Sequence, residues 1–433
     1  MDDLRSGQHA SAQCRELMSR SSRPSFTLPP FNHNLDGATK VTSGKGFQAF
    51  PRTEYLRRLS SVKAEMRRRE IDVLFVTSPS NITYLTGHTA YTAYVPQGLV
   101  VTLDAEEPTF FLRRMDTPAA TLQSFLNPNN VIGYSEDLVG NPDKDGYDRI
   151  IEYFHETGLG NGTLGLEPAF LTLKQFGSAQ DKFKEKLPKA RIVDFSKAID
   201  RIRMVKSDLE LALMREAAAI SDAAMARAAE VIRPGVREAE AAAEIVATLI
   251  RGANGKPGTA LAPICFCASP YTGTAHVRWG EDEFRQGSQL NLELGGVRWG
   301  YAVGLMRTFV IGRPSDRLRR MHEAEVAGLE DALNAVRPGV TCSEVASAFN
   351  RTMAKHGLKK ESRCGYAIGI DWTEPTASLK EGDMTELKPN MTFHMMLGNW
   401  VDENFGYVIS ETFRVTDSGV EVLTKTPRKL FEL

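Results

Sequence analysis

The tetrapeptide Arg-Pro-Gly-Val occurs twice in this chain, at 233–236 and at 337–340. Each copy lies between two segments whose apolar residues recur at helical spacing, and strand-like sequence follows each second helix. Proline and glycine end helices, because proline lacks the amide N–H and glycine readily adopts the left-handed conformation. Unless a common helix-ending turn has recurred by chance, the sequence predicts an internally duplicated domain of helical hairpins, each followed by strands.

The size and charge of the chain exclude several classes of protein. Its 433 residues are enough for two or three domains with their own cores, and a net charge of -1 gives no electrostatic basis for binding nucleic acid or an acidic membrane. The sequence has no run of about 18 apolar residues, and residues 1–10 lack the apolar core of a signal peptide. A cytoplasmic protein without a membrane span is therefore predicted.

The cysteines do not indicate a disulfide framework, because there are five of them and they are spread over the chain. Cys265 and Cys267 alternate on a predicted strand, and no second pair completes a zinc site. Both are predicted to be buried apolar residues.

Three regions of the chain differ in pattern. Residues 1–47 are rich in Ser, Arg, Gly and Pro without sustained periodicity, which predicts an extension with no core of its own, suited to lie on a partner subunit. Residues 48–200 alternate helical segments, one of them at 172–186, with short apolar strands, which predicts an α/β domain. The duplicated region, 201–433, begins with a long helix for which Ser207, followed by Glu210, is a typical N-cap.

The stretch 274–308 contains a histidine, His276, and then two strands of alternating apolar residues with turns predicted near the glycines at 295, 296 and 300. Glu293 lies between two leucines on the first strand, where a carboxylate is costly to bury unless a cation pairs with it. That cation could be Arg298 or Arg307 of the same hairpin, or it could be a ligand.

This stretch, together with GYAIGIDWTEP at 365–375, PNMTFHMMLGNW at 389–400 and GYVISETFRVT at 406–416, resembles the creatinase and methionine/proline aminopeptidase superfamily over roughly residues 48–433. The resemblance implies an α+β fold, in which a pita-bread catalytic domain follows a smaller α/β domain of the creatinase type. It also implies a homodimer whose two active sites are shared between the subunits.

The peptidases of this superfamily bind two metal ions through two aspartates, a histidine and two acidic residues. Alignment on the flanking glycines and on the Arg307-Thr308 pair places five other residues at these positions: Glu293, Gly304, Tyr366, Met396 and Ser410. One carboxylate remains, and glycine, phenol, thioether and hydroxyl groups do not replace hard anionic ligands. The resemblance therefore implies a site without metal, as in creatinase, and no other cofactor.

Whole phrases of the sequence, SPSNITYLTG at 78–87, TELKPNMTFH at 385–394 and PRKLF at 427–431, are similar to bacterial ectoine hydrolases. This similarity implies a hydrolase that opens a C–N bond of a small zwitterionic cyclic amidine such as ectoine, to give N-acetyl-diaminobutyrate. Three alternatives stay open: a creatinase-like hydrolase of a guanidino acid, an Xaa-Pro dipeptidase, and a non-catalytic pita-bread module that binds peptides or partners.

The resemblance assigns catalytic roles to three residues. His276 aligns with the proton-shuttling histidine of creatinase, and a near-neutral pKa suits histidine to take a proton from water and pass it to a leaving nitrogen. Glu293 and Glu411 are expected to hold the amidinium in charge-assisted hydrogen bonds where the metals would have been.

Further residues are expected to contact the substrate, although each is also a plausible structural residue. They are Tyr91 and Tyr94 in the aromatic loop 81–98, which is expected to reach the site of the partner subunit, and Tyr366, Glu374, His394 and Trp400 in the catalytic domain.

Overall fold

The computed structural model describes residues 45–89, 92, 94–167 and 179–433. Most of the predicted extension 1–47, Tyr91 and part of the predicted helix 172–186 lie outside the described residues. Within the described ranges, no helix is long and apolar enough to cross a membrane.

The first part of the described chain is an α/β arrangement around one mixed sheet. Its helices are α1 (Arg52–Arg68), α2 (Pro79–Thr86), α3 (Thr117–Gln123), α4 (Gly146–Thr157), α5 (Ala179–Lys186) and α6 (Ala198–Arg203), with 3-10 turns at 114–116, 128–130, 136–138 and 159–161. Its strands are β1 (Val73–Val76), β2 (Gly98–Thr102), β3 (Thr109–Arg113), β4 (Val131–Tyr134), β5 (Thr163–Leu166) and β6 (Arg191–Asp194).

The six strands have the order β4-β3-β2-β1-β5-β6, and β1 is antiparallel to β2 but parallel to β5. Strand β1 is fully buried, because Leu74 and Val76 enter the core on one face of the sheet while Val73 and Phe75 enter the core on the other. A continuous apolar run is therefore the pattern that this central position requires.

The rest of the chain repeats one plan twice, which confirms the predicted duplication. The first copy comprises α7 (Asp208–Val231), α8 (Glu238–Arg251), β7 (Cys265–Ala268), β8 (Gln289–Arg298) and β9 (Tyr301–Val310). The second comprises α9 (Asp316–Ala335), α10 (Cys342–Lys355), β10 (Gly365–Ala367), β11 (Ser378–Leu379), β12 (Thr392–Asp402), β13 (Phe405–Val415) and β14 (Val420–Val422), and β15 (Phe431–Glu432) follows.

The two Arg-Pro-Gly-Val turns have matching backbone geometry. Gly235 has φ = 82° and Gly339 has φ = 85°, which is the left-handed conformation that glycine adopts without strain. Ser207 caps α7 in a reciprocal capping box with Glu210, as predicted, and Thr341 does the same for α10 with Glu344.

The strands of the second part form two sheets, ordered β15-β9-β8-β7 and β11-β10-β12-β13-β14.

The glycines of the β8–β9 hairpin have different roles. Trp299 and Gly300 form its two-residue turn with φ of 48° and 88°, as a type I′ turn requires. Gly296 instead lies within β8, where a Cβ atom would be 2.3 Å from the carbonyl oxygen of Ala217, so α7 approaches the hairpin closely. The prediction of a turn near 295 and 296 was therefore wrong.

Candidate active site

A cavity of about 390 Å³ lies between the two sheets of the duplicated part. The side chains that can do chemistry or bind a charged ring in this cavity come from distant parts of the chain: His276, Glu293, Arg363, Tyr366, Trp372 and Trp400. The structure therefore brings together four of the residues predicted from sequence, His276, Glu293, Tyr366 and Trp400.

Glu293 is a buried carboxylate without a cationic partner on its own hairpin. It lies on β8, opposite Cys265 of β7 and Met306 of β9, and it is 8% exposed. Burial raises the pKa of Glu293, and a hydrogen bond from Cys265 and the nearby His276 oppose that shift. The two arginines proposed as partners bind elsewhere, Arg298 to Glu216 and Arg307 to Glu411. The alternative in which Arg298 or Arg307 forms a salt bridge with Glu293 is therefore wrong. A cationic ligand remains the group that would balance the charge of Glu293.

His276 lies in the loop between β7 and β8, on the wall of the cavity. The loop is held to both sheets, because the Thr272 hydroxyl donates to the carbonyl oxygen of Asn404, between β12 and β13, at 2.8 Å, and Asn291 of β8 donates to the carbonyl oxygen of Thr272 at 2.9 Å. His276 has φ = 60°, a left-handed conformation that is uncommon for a residue with a Cβ atom and that is often found at functional sites. His276 is solvent-exposed.

The ring of His394 lies behind Tyr366 and does not line the cavity. It is fully buried, with Nδ1 3.2 Å from the Tyr366 hydroxyl and Nε2 2.8 Å from the Ser410 hydroxyl. Burial lowers the pKa of His394 to about 3, so the ring is neutral. Direct contact of His394 with a substrate is therefore not supported, and the structural alternative is the better interpretation.

The aligned ligand positions do not fit a dinuclear metal centre. A Cβ atom on Gly304 would lie 2.7 Å from two atoms of the His394 ring, so this imidazole fills the space next to the second aspartate position. Tyr366 and Ser410 hydrogen bond to the same ring, and Met396 presents a neutral thioether to the cavity. Among all described residues, no group of three or more His, Cys, Asp or Glu side chains is placed to hold a metal ion.

Two predicted carboxylates are turned away from the cavity, because each is held by a buried ion-pair network. Glu411 accepts from Arg307 at 2.8 Å, from Arg428 at 3.0 Å and from Thr424. The expected pair of Glu293 and Glu411 is thus not formed. Glu374 accepts from Lys206 at 2.9 Å and is 3.5 Å from Arg203, so its structural alternative fits and a substrate contact does not.

The predicted aromatic contacts differ in their placement. Trp400 lines the cavity, and its indole N–H has no hydrogen-bond partner within the described part of the chain. Tyr94 is 44% exposed and its hydroxyl accepts from Arg113 at 3.3 Å, away from the cavity of its own chain. Tyr91 lies outside the described residues. The shared site of a homodimer, in which these tyrosines reach the partner, stays a prediction.

Sequence reasoning missed Arg363, a half-buried cation on the cavity wall. Its guanidinium carbon lies 4.5 Å from the centre of the Tyr366 ring, and Nη1 donates to the Ser378 hydroxyl at 3.0 Å. Arg363 forms no ion pair with any carboxylate in the described ranges, so its charge is available to a ligand. The available signal was its position three residues before Tyr366, just ahead of the motif at 365–375.

An α/β domain followed by a duplicated α+β domain, with the cavity between the two sheets of the second, is the architecture of a two-domain pita-bread protein. Comparison with known families gives the same result. Residues 58–205 match the creatinase/prolidase N-terminal domain and residues 212–417 match metallopeptidase family M24. The chain belongs to metallopeptidase family M24 and to its group of hydrolases with a creatinase-type N-terminal domain.

Individual relatives cover nearly the whole chain. An uncharacterized hydrolase/peptidase of Sinorhizobium fredii is 61% identical, over 89% of this chain and 98% of its own length. An ectoine hydrolase of Halomonas elongata is 34% identical, over 88% of this chain and 98% of its own length. The crystal structure of a recombinant prolidase from Thermococcus sibiricus has the same fold, with a TM-score of 0.76 and 22% identity over 88% of this chain and 99% of that one. The predicted fold class is confirmed.

Proposed function

We propose that this protein is a metal-independent hydrolase that opens a C–N bond of a small cyclic amidine bearing a carboxylate, with ectoine as the first candidate. The observation that carries the proposal is the buried Glu293, which faces the cavity and has no cationic partner among the described residues, while the other four aligned ligand positions hold no acidic or imidazole group. An amidinium at Glu293 would supply the positive charge that metal ions supply in the peptidases. The relative described as an ectoine hydrolase supports the choice of substrate.

The chemistry follows from two of the cavity residues. His276 takes a proton from a water molecule as its oxygen attacks the amidine carbon, which forms the C–O bond and makes that carbon tetrahedral. The ring C–N bond then breaks as His276 returns the proton to the departing nitrogen. The hydroxyl proton passes to the released amine as the carbonyl forms, so that an amide and an ammonium group result. Glu293 holds the substrate cation through charge-assisted hydrogen bonds and orients the amidine carbon toward the water.

The carboxylate and the guanidinium that line the cavity, Glu293 and Arg363, have opposite charges, and neither forms an ion pair within the described residues. A small zwitterion matches both charges at once, with its amidinium at Glu293 and its carboxylate at the guanidinium fork. The flat faces of Trp372 and Trp400 supply apolar walls for a ring. A guanidino acid such as creatine carries the same two charges, so it is the second candidate substrate.

A substrate panel tests the proposed function. Protein treated with chelator and assayed with ectoine, hydroxyectoine, creatine and Xaa-Pro dipeptides is expected to hydrolyse ectoine, and elemental analysis is expected to find no stoichiometric transition metal. Hydrolysis of a dipeptide that is abolished by chelator and restored by Mn²⁺ would establish the peptidase instead. Binding without turnover of any member of the panel would favour the non-catalytic module.

Replacing Glu293 by glutamine keeps the shape of the side chain and removes its charge, and we expect substrate affinity to fall about 10- to 150-fold, the equivalent of roughly 1.5–3 kcal/mol for one charged hydrogen bond. Burial disfavours the ionised form of this group, so the variant should unfold at the same temperature as the parent or higher. Because the pKa of Glu293 is raised, parental affinity should weaken as the pH falls through that raised value, and the variant should not show this weakening. Calorimetric titration measures the substrate affinity, and thermal melts measure the unfolding temperature. Unchanged affinity in the variant would show that Glu293 does not bind the substrate.

Replacing Arg363 by methionine removes the cation while keeping an unbranched side chain. Affinity for an amidine acid should fall about 10- to 150-fold, and affinity for the corresponding carboxamide should change little, because only the acid uses the guanidinium. Arg320 is exposed and lies in a different groove, so Arg320→Met is the matched control. Equal losses for acid and carboxamide would show that Arg363 shapes the wall and does not bind the carboxylate.

A further inference from the structure

A continuous chain of hydrogen bonds connects the backbone of β9 with the cavity. The Met306 N–H donates to the Ser410 hydroxyl at 2.7 Å. That hydroxyl is 2.8 Å from Nε2 of His394, and Nδ1 of the same ring is 3.2 Å from the hydroxyl of Tyr366. Ser410 and His394 are fully buried, whereas Tyr366 lines the cavity.

The first bond of this chain fixes the direction of the others. With its oxygen already accepting from Met306, Ser410 keeps its own proton satisfied only by donating it to Nε2, since no other hydrogen bond of that hydroxyl exists within the described residues. Nε2 is then the acceptor, so Nδ1 carries the ring proton and donates it to the oxygen of Tyr366. The opposite tautomer would leave the buried Ser410 proton without an acceptor, which costs about 1–3 kcal/mol.

Two features maintain this direction of the hydrogen bonds from Ser410 through His394 to Tyr366. Burial lowers the pKa of His394 to about 3, so the ring holds one proton throughout the pH range of an ordinary assay. The ring also has no room to turn, because it fills the space beside Gly304 and packs edge-on against Trp372 with centroids 5.6 Å apart.

Tyr366 therefore accepts a hydrogen bond from inside the protein and has its own proton left to donate. Burial and the nearby Glu293 raise the pKa of Tyr366 well above its ordinary value, and the side chains of Trp372 and Thr373 oppose that rise. The phenol thus stays protonated. Because Tyr366 lines the cavity, its O–H can donate to a group bound there.

We propose that Tyr366 donates a hydrogen bond to the oxygen that water adds to the substrate, and that His394 and Ser410 are positioning residues that aim this donor. The assignment of the acceptor rests on the proposed amidine hydrolysis. A planar amidinium carries no acceptor at its reacting carbon, but once water has added there the new oxygen has lone pairs that can accept, and the single lone pair of the departing nitrogen is left for the proton from His276. The Tyr366 bond is therefore made on the way to the tetrahedral state and not in the bound substrate, and it accelerates the reaction without tightening binding. The proton itself is carried by His276.

Kinetics of Tyr366→Phe, His394→Gln and the double variant test the proposal. Removing the Tyr366 hydroxyl should lower kcat about 10²- to 10³-fold, the scale seen when one donor to a transition state is lost, with the substrate dissociation constant nearly unchanged. If His394 acts only through that hydroxyl, His394→Gln should lower kcat in the parent but cause no further loss in the protein that already carries Tyr366→Phe. A full, multiplicative loss in the double variant, or normal kcat in Tyr366→Phe, would overturn the proposal.

Nitrogen NMR of histidine-labelled protein gives a result that needs no substrate. The chain has eight histidines, so His394→Gln identifies the signal by its disappearance. We expect a neutral ring with the proton on Nδ1 between about pH 5 and pH 9, on the basis of the lowered pKa. A proton on Nε2, or a titrating ring, would refute the directed chain whatever the substrate is. Failure of the whole substrate panel together with an Nδ1 proton would instead refute the proposed function and the assignment of the added oxygen as acceptor.

Discussion

Replacement of His276 by asparagine is expected to lower kcat about 10²-fold or more, the scale of general acid–base catalysis, while substrate affinity changes little. Asparagine is the appropriate substitution because His276 has φ = 60°, a conformation that asparagine adopts more readily than alanine does. The backbone of the loop is thereby kept and only the proton-transfer group is lost.

The turnover number and the substrate dissociation constant are measured separately for the parent and for His276→Asn. His356 is exposed and remote from the cavity lining, so His356→Asn is the control and should match the parent in both quantities. Normal turnover by His276→Asn would assign the proton transfer to another group. A loss confined to affinity would make His276 a binding residue.

Replacement of Glu411 by alanine is expected to lower the free energy of unfolding by about 3–5 kcal/mol, because removal of one partner leaves a buried charge uncompensated. Arg307 is 1% exposed and its guanidinium depends on this carboxylate, which also receives Arg428 and Thr424. This expectation replaces a direct role of Glu411 in binding the substrate cation.

Glu421 provides a matched control on the neighbouring strand β14. It also pairs with two arginines, Arg215 and Arg414, but its side chain is 31% exposed, so Glu421→Ala should cost no more than about 1 kcal/mol. Urea denaturation of the two variants gives the comparison. A Glu411→Ala protein as stable as the parent, with impaired substrate binding, would return Glu411 to the site.

The position of Glu411 illustrates information that was present in the sequence but not used. Successive residues of a strand face opposite sides of the sheet, so Ser410 and Glu411 cannot both face the cavity. The alignment placed Ser410 at a ligand position, and that placement already directed Glu411 to the other face. In the structure Ser410 contacts His394 and Glu411 contacts Arg307 on the opposite side.

Much of the framework followed from the sequence alone, because it depends on local patterns. The two Arg-Pro-Gly-Val turns, the capping box of Ser207 and Glu210, and the alternation along β8 and β9 each involve residues close together in the chain. Such features are set by backbone conformation and by the period of apolar residues. The loss of four metal-ligand types was likewise visible, since it needs only residue identity at aligned positions.

The tertiary structure alone decided which charges are free and what fills the vacated ligand positions. In the part of the chain that the structure describes, Glu293 lacks a cationic partner because Arg298 and Arg307, near it in sequence, pair with Glu216 and Glu411 from other elements. His394 fills the space beside Gly304, which is distant from it in the sequence, and joins Ser410 to Tyr366 only because β9, β10, β12 and β13 meet there. Such contacts depend on how distant strands pack against one another, and no local pattern of residues encodes that packing.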